Sequence, residues 1–170
     1  RTFGLNIQYF SRQRRPPQVE EPLGAVYRQR LDDMLADVDI VSLHTPLNRD
    51  TLRILDAGQL NHIRRDAFIV NVSRSELIDE EAMIARIEDG LLAGAALDVF
   101  DSRPAINPRL LALARANKVL LTAHMASATL EARIEMGETV IVNIRAFVDG
   151  HQPPHRILPD APGRAKPFTG

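Results

Sequence analysis

Short apolar runs alternate with amphipathic stretches along most of this chain. Leu5 to Phe10, Asp39 to His44, Ala67 to Val72, Ala93 to Phe100 and Lys118 to Thr122 are largely apolar at consecutive positions. That pattern predicts strands covered by helices on both faces, as in a parallel sheet. The stretches between them predict helices. Asp56-Ala57-Gly58-Gln59 has the spacing of a capping box opening a short helix to Ile63. Asp79 can cap a second, with Glu80 and Glu81 in its first turn, Met83, Ile84, Ile87 and Leu91 as its buried stripe, and Gly90 near its end. Pro108 starts a third, through Leu110, Leu111 and Leu113. The longest runs from about Thr129 to Val148, with Leu130, Ile134, Ile141, Ile144 and Val148 spaced for one face. Strands separated by helices imply crossover connections and a parallel α/β sheet. The character changes after Gly150. Five of the last eighteen residues are prolines, so residues 151–170 read as a Pro-rich tail, extended from about Leu158. No internal repeat is visible.

Composition narrows the class. The chain has 170 residues, 45% hydrophobic and 25% charged, with a formal net charge of −1, which suits one ordinary globular domain with a real core. The only basic cluster, Arg12 to Arg15, is too short for a nucleic-acid footprint. There are no cysteines, which excludes disulfide and thiolate chemistry and agrees with a reducing compartment. No apolar run is long enough to span a bilayer, and the first residues are not a secretion signal. The expectation is a soluble, cytoplasmic protein with neither nucleic-acid nor membrane partners.

Chemistry-bearing residues gather where the apolar runs stop. Arg74 follows Ala67 to Ser73, Asp98 interrupts Ala93 to Phe100, and His124 follows Val119 to Ala123. Ligands of open parallel sheets bind outside the carboxyl ends of the strands, so these three side chains would face one crevice suited to an anionic substrate. Singly, an arginine after a strand or a histidine in a turn is more often solvated than functional. Asp98 is harder to dismiss, because burying an unpaired carboxylate is costly. His62, His151 and His155 read as surface residues.

Four blocks carry a resemblance. Asp39-Ile-Val-Ser-Leu-His-Thr-Pro46, Ala67-Phe-Ile-Val-Asn-Val-Ser-Arg74, Ala93-Gly-Ala-Ala-Leu-Asp-Val-Phe100 and Leu121-Thr-Ala-His124 resemble, in order and spacing, the cofactor domain of the D-isomer-specific 2-hydroxyacid dehydrogenases. Ala123-His-Met-Ala-Ser-Ala-Thr129, Glu131-Ala-Arg133 and Met136-Gly-Glu138 bring the likeness nearest to glyoxylate and hydroxypyruvate reductases. The likeness covers about residues 1 to 158. It implies a Rossmann-type doubly wound parallel sheet over residues 1–150, and hydride transfer between a nicotinamide cofactor and a small 2-keto or 2-hydroxy acid.

By the same resemblance, Arg74 holds the substrate carboxylate and polarises the keto oxygen, a task for which a planar, permanently charged fork is suited. His124 gives a proton to the developing alkoxide, and histidine serves as acid in one direction and base in the other. Asp98 lies near the nicotinamide carboxamide. His44 is structural or a neighbour of the cofactor, alongside Thr45 and Pro46 after one strand and Val72 and Ser73 after the next. The long helix from Thr129 is expected to cross back toward a substrate domain. A homodimer through the cofactor domain is the expected assembly.

Three departures qualify the resemblance. The Gly-rich pyrophosphate turn that the family places about one helix before the segment matching Arg1 to Leu5 is absent, so the chain reads as a fragment whose sheet is incomplete at its N-terminus. Arg103 stands where the family usually has a glutamate paired with the histidine. A guanidinium there disfavours the imidazolium needed as proton donor, which leaves open a catalytically impaired or nucleotide-sensing scaffold; Asp101 could substitute if turned inward. Ser11, followed by Arg12 with Arg14 and Arg15 nearby, occupies the place where NAD-preferring members carry an acid. An acid repels a 2′-phosphate while serine and arginine accept one, so NADP(H) is favoured over NAD(H).

Overall fold

Four of the five apolar runs form one parallel sheet, and the fifth belongs to a second, smaller ladder. A computed structural model of the chain describes residues 2–102, 105–125 and 127–156. Two units are distinguished, Arg1–Thr122 and Ala123–Gly170. In the first, β1 (Gln8–Tyr9) leads through α1 (Pro17–Leu23) to β2 (Val26–Tyr27), and the two strands pair in parallel, Gln8 with Val26 and Tyr9 with Tyr27. After α2 (Leu31–Leu35) come β3 (Ile40–Leu43), α3 (Ala57–Leu60), β4 (Phe68–Asn71), a 3₁₀ turn (Ser75–Leu77), α4 (Glu80–Glu88), β5 (Gly94–Leu97), α5 (Pro108–Arg115) and β6 (Val119–Leu121). The large sheet has the order β3-β4-β5-β6, all parallel. This is the parallel α/β arrangement expected from the pattern, and it is Rossmann-like, as the resemblance implies.

The core lies on one face of that sheet. Val41, Leu43, Ile69, Ala95, Leu97 and Val119 point from the strands into a cluster with Leu60, Met83, Ile84, Ile87, Leu110 and Leu113 from the helices. Each fully buried aliphatic side chain of this kind contributes roughly 1.5–3 kcal/mol. The opposite face differs from expectation. Ile40 and Phe68 are 49% exposed and Leu120 is 63% exposed, so the strands are apolar on both sides but covered on one. Gly94 is required by a close approach: a Cβ there would lie 2.3 Å from the Lys118 carbonyl oxygen.

Helix starts follow the caps. Asp56 accepts the Gln59 amide at 2.8 Å and Asp79 accepts the Ala82 amide at 3.1 Å. α3 ends at Leu60 rather than Ile63, although Ile63 is buried. Leu91 is not in the buried stripe: the chain leaves α4 before it and turns at Gly90 with φ +68°, which exposes Leu91 and buries Leu92. The strands are shorter than the apolar runs, because residues such as Asp98 still bond across the ladder end while Val99 and Phe100 diverge. α1 escapes the pattern because Pro16, Pro17 and Pro22 obscure it. Pro17 sits at the first helical position, where its missing N–H is an orphan in any case. β1 and β3 share no ladder.

The second unit carries α6 (Leu130–Val148), capped by Thr129, whose hydroxyl accepts the Ala132 amide at 3.2 Å. Leu130, Ile134, Ile141, Ile144 and Val148 are all exposed. No helix among the described residues is long and apolar enough to cross a membrane. The proline-rich segment from Leu158 lies outside the described residues.

Candidate active site and cofactor site

The carboxyl ends of β3 to β6 are joined by buried polar groups. Asn71, fully buried at the end of β4, donates its amide to the Arg74 carbonyl at 2.8 Å and accepts the Ser73 N–H at 3.0 Å. A buried amide without such partners would be costly. The asparagine therefore pins the turn Val72-Ser73-Arg74 from beneath. Ser73 donates its hydroxyl to the Leu43 carbonyl at 2.8 Å, tying β4 to β3. The Asp98 N–H reaches the Asn71 carbonyl at 2.9 Å, and its buried carboxylate accepts the Thr122 hydroxyl at 2.5 Å. A continuous hydrogen-bonded frame thus runs from β3 to the end of β6.

Arg74 emerges from this frame. Its backbone is extended, its side chain is exposed, and one guanidinium nitrogen donates to the Ser73 carbonyl at 2.7 Å. It has no carboxylate partner among the described residues. Its remaining donors stay available to an anion. Val72 is exposed beside it. His44, past the end of β3, sits 2.8 Å from the Ser42 hydroxyl through Nε2 and is exposed. Thr45 is half-buried, and the Pro46 carbonyl accepts the hydroxyl of buried Thr51 at 2.7 Å.

His124 belongs to the second unit and is described by itself. It is exposed and holds φ +54°, a left-handed conformation uncommon for a residue with a side chain. Such outliers concentrate at functional positions. Arg103, the departure from the usual acid, lies outside the described residues. Within the first unit, the half-buried Glu80 carboxylate accepts the Asp101 N–H at 3.1 Å, and burial, above all, pushes its pKa up.

The other candidate region follows β1. Ser11 donates its hydroxyl to the Gln13 carbonyl, and the Tyr27 hydroxyl donates to the Ser11 carbonyl at 3.2 Å. Arg12 is exposed without a carboxylate partner among the described residues. Arg14 is committed elsewhere: its guanidinium makes a two-pronged contact with Glu20, Nε at 3.0 Å and Nη2 at 2.8 Å. Two framing residues escaped the sequence reading, Asn71 and Glu20. The signal for Asn71 was a lone amide inside an apolar run; Glu20 gave none, because its helix was not recognised.

A parallel α/β sheet with an exposed guanidinium and a buried acid along its carboxyl edge is the setting in which α/β domains bind nucleotides. The profile of the family described as "D-isomer specific 2-hydroxyacid dehydrogenase, NAD binding domain" matches residues 1–126. The chain belongs to that family. It is 38% identical over 158 residues to the glyoxylate reductase of Thermococcus litoralis, covering 93% of this chain and 46% of that protein. Among solved structures it resembles the NADPH-dependent glyoxylate/hydroxypyruvate reductase of Sinorhizobium meliloti in complex with NADP and malonate, with TM-score 0.74, 32% identity, and coverage of 86% of this chain and 44% of that one. It also resembles the NAD-complexed D-isomer specific 2-hydroxyacid dehydrogenase of Lactobacillus delbrueckii ssp. bulgaricus, with TM-score 0.80, 27% identity, and coverage of 90% and 48%. The chain therefore spans about half the length of the relatives it matches.

The family implies a nicotinamide dinucleotide, and the donor set fits one. Arg12 and Arg15, without carboxylate partners among the described residues, follow β1, and a buried carboxylate held by Thr122 lies at the end of β5. Cations suit phosphate oxygens, and a carboxylate suits an amide donor.

Proposed function

We propose that this domain is the cofactor half of an NADPH-dependent reductase of small 2-keto acids such as glyoxylate or hydroxypyruvate. The observation that carries the reading is the Arg74 guanidinium, exposed above the Asn71 frame with no carboxylate partner among the described residues. A 2-keto acid brings the carboxylate that such a fork binds in two parallel hydrogen bonds. Arg74 would hold that group and polarise the adjacent carbonyl. His124 would deliver a proton to the carbonyl oxygen, and in the reverse direction would take it back. Asp98, oriented by Thr122, would accept an amide N–H of the nicotinamide. A bound reduced nicotinamide supplies the hydride. Ser11 and Arg12 would favour the 2′-phosphate of NADP(H), while His44, Thr45, Pro46, Val72 and Ser73 line the strand ends along which the cofactor lies.

The names of the similar proteins support this substrate class, and both cofactors occur among them. A homodimer through the cofactor domain is part of the same proposal. The scaffold alternative rests on Arg103, and no described contact favours it. The test is consumption of NADPH by the full-length protein with glyoxylate and with hydroxypyruvate. Turnover that disappears in His124→Ala supports the assignment. A protein inert toward both acids with either cofactor would overturn it in favour of the scaffold.

A further inference from the structure

Glu20 is the buried charge that the proposed chemistry leaves unused. It is 5% exposed, yet it is ringed by donors: the Tyr9 hydroxyl at 2.5 Å, Arg14 Nε at 3.0 Å and Arg14 Nη2 at 2.8 Å. The Tyr9 oxygen in turn accepts the Arg15 backbone N–H at 2.7 Å. One carboxylate thereby fixes two consecutive arginines in opposite roles. Arg14 is folded back onto Glu20, whereas Arg15 is held by its backbone and its guanidinium has no partner among the described residues. The remainder of the loop is tied as well, at Ser11 by Tyr27 and at Gln13 by Ser11.

We infer that Glu20 and Tyr9 sort the three arginines of this loop, making Arg15 a second reader of the cofactor's 2′-phosphate beside Arg12 and making Arg14 a positioning residue that does not touch it. This rests on the proposed preference for NADP(H). A loop that follows a parallel strand and is tied at four points holds its free guanidiniums with little further ordering to do on binding, which strengthens discrimination for a given number of contacts. Two outward guanidiniums can share a phosphate dianion, while the third charge is neutralised inside.

The test is titration of the full-length protein with adenosine 2′,5′-bisphosphate and with adenosine 5′-monophosphate, together with thermal melting. Arg15→Ala should lower the preference for the bisphosphate roughly tenfold, as expected for loss of a charge-assisted hydrogen bond, and leave the monophosphate affinity and Tm unchanged. Arg14→Ala should instead lower Tm by about 5 °C or more, because it strands Glu20, and Arg14→Lys should recover part of that loss. Tyr9→Phe should lower Tm less than Arg14→Ala does, because Glu20 then keeps its guanidinium partner. A bisphosphate preference that survives Arg15→Ala, or that vanishes in Arg14→Ala with Tm intact, overturns the inference. An unmodified protein with no preference overturns both it and the NADP(H) reading.

Discussion

The two strand-end regions solve the same problem with different materials. Past β3 to β6 the frame is uncharged except for one acid: Asn71, Ser73 and Thr122 spend their hydrogen bonds on backbone and on Asp98, and a single arginine is left outside. Past β1 the frame is ionic. Glu20 consumes Arg14 and Tyr9, and two guanidiniums are left outside. An amide satisfied by backbone groups holds one turn in one geometry at any ordinary pH. A carboxylate held by a guanidinium holds its loop only while it is ionised. The first region is therefore predicted to be rigid and pH-insensitive, the second rigid but dependent on charge.

The largest expected effect breaks the first frame. Asn71→Ala leaves the Ser73 N–H and the Arg74 carbonyl without their buried partner, which should cost about 2–3 kcal/mol and lower Tm by roughly 5–10 °C at this chain length. Calorimetry checks the melting, and substrate turnover should fall with it because Arg74 loses its anchor. A smaller effect is expected from Thr122→Val, which removes one partner of Asp98 at nearly constant volume. That should cost about 1–2 kcal/mol, measured by urea denaturation, and should weaken cofactor affinity more than affinity for a keto acid.

The pH response sharpens the contrast further. Hydrogen bonds from Arg14 and then from Tyr9 hold the Glu20 carboxyl below its usual value, against the opposing effect of burial. A carboxyl depressed in the folded state stabilises it above the unfolded value and loses that contribution as pH falls through the folded one. The Glu20 contribution is thus constant at neutral pH, begins to fall near the ordinary glutamate value of about 4.3, and is lost only as pH drops through the lower folded value. Amide hydrogen exchange of residues 8–27 followed during acid titration should report loosening around β1 and β2 in that range. Glu20→Gln should flatten that transition.

These regions were unequally legible in the sequence. The strands of the large sheet announce themselves as apolar runs, and Arg74, Asp98 and His124 stand out because all three fall where such runs stop, within blocks whose order and spacing carry the resemblance. Asn71 was hidden inside its run: nothing in the order of residues says that its amide faces the turn rather than the sheet. The β1 region was less readable still. Val26–Tyr27 is too short a strand to show a period, and the prolines around α1 mimic a loop, so Glu20 carried no signal of its own. Ser11 and the arginines could be listed from the sequence, but which arginine is free depends on a contact six residues away in the chain, between Arg14 and Glu20. The covered and open faces of the large sheet were equally invisible, since Phe68 and Ile69 are both apolar and only packing distinguishes them.

The central claim is that Arg74, held out by Asn71, binds the carboxylate of a small 2-keto acid. Steady-state reduction of glyoxylate by Arg74→Gln in the full-length protein tests it most directly, because glutamine keeps a polar side chain while removing the charged fork. Loss of the paired charge-assisted bonds should lower kcat/KM by roughly a hundredfold or more, with Tm unchanged because the side chain is exposed. A kcat/KM within a few-fold of the unmodified protein would contradict the account.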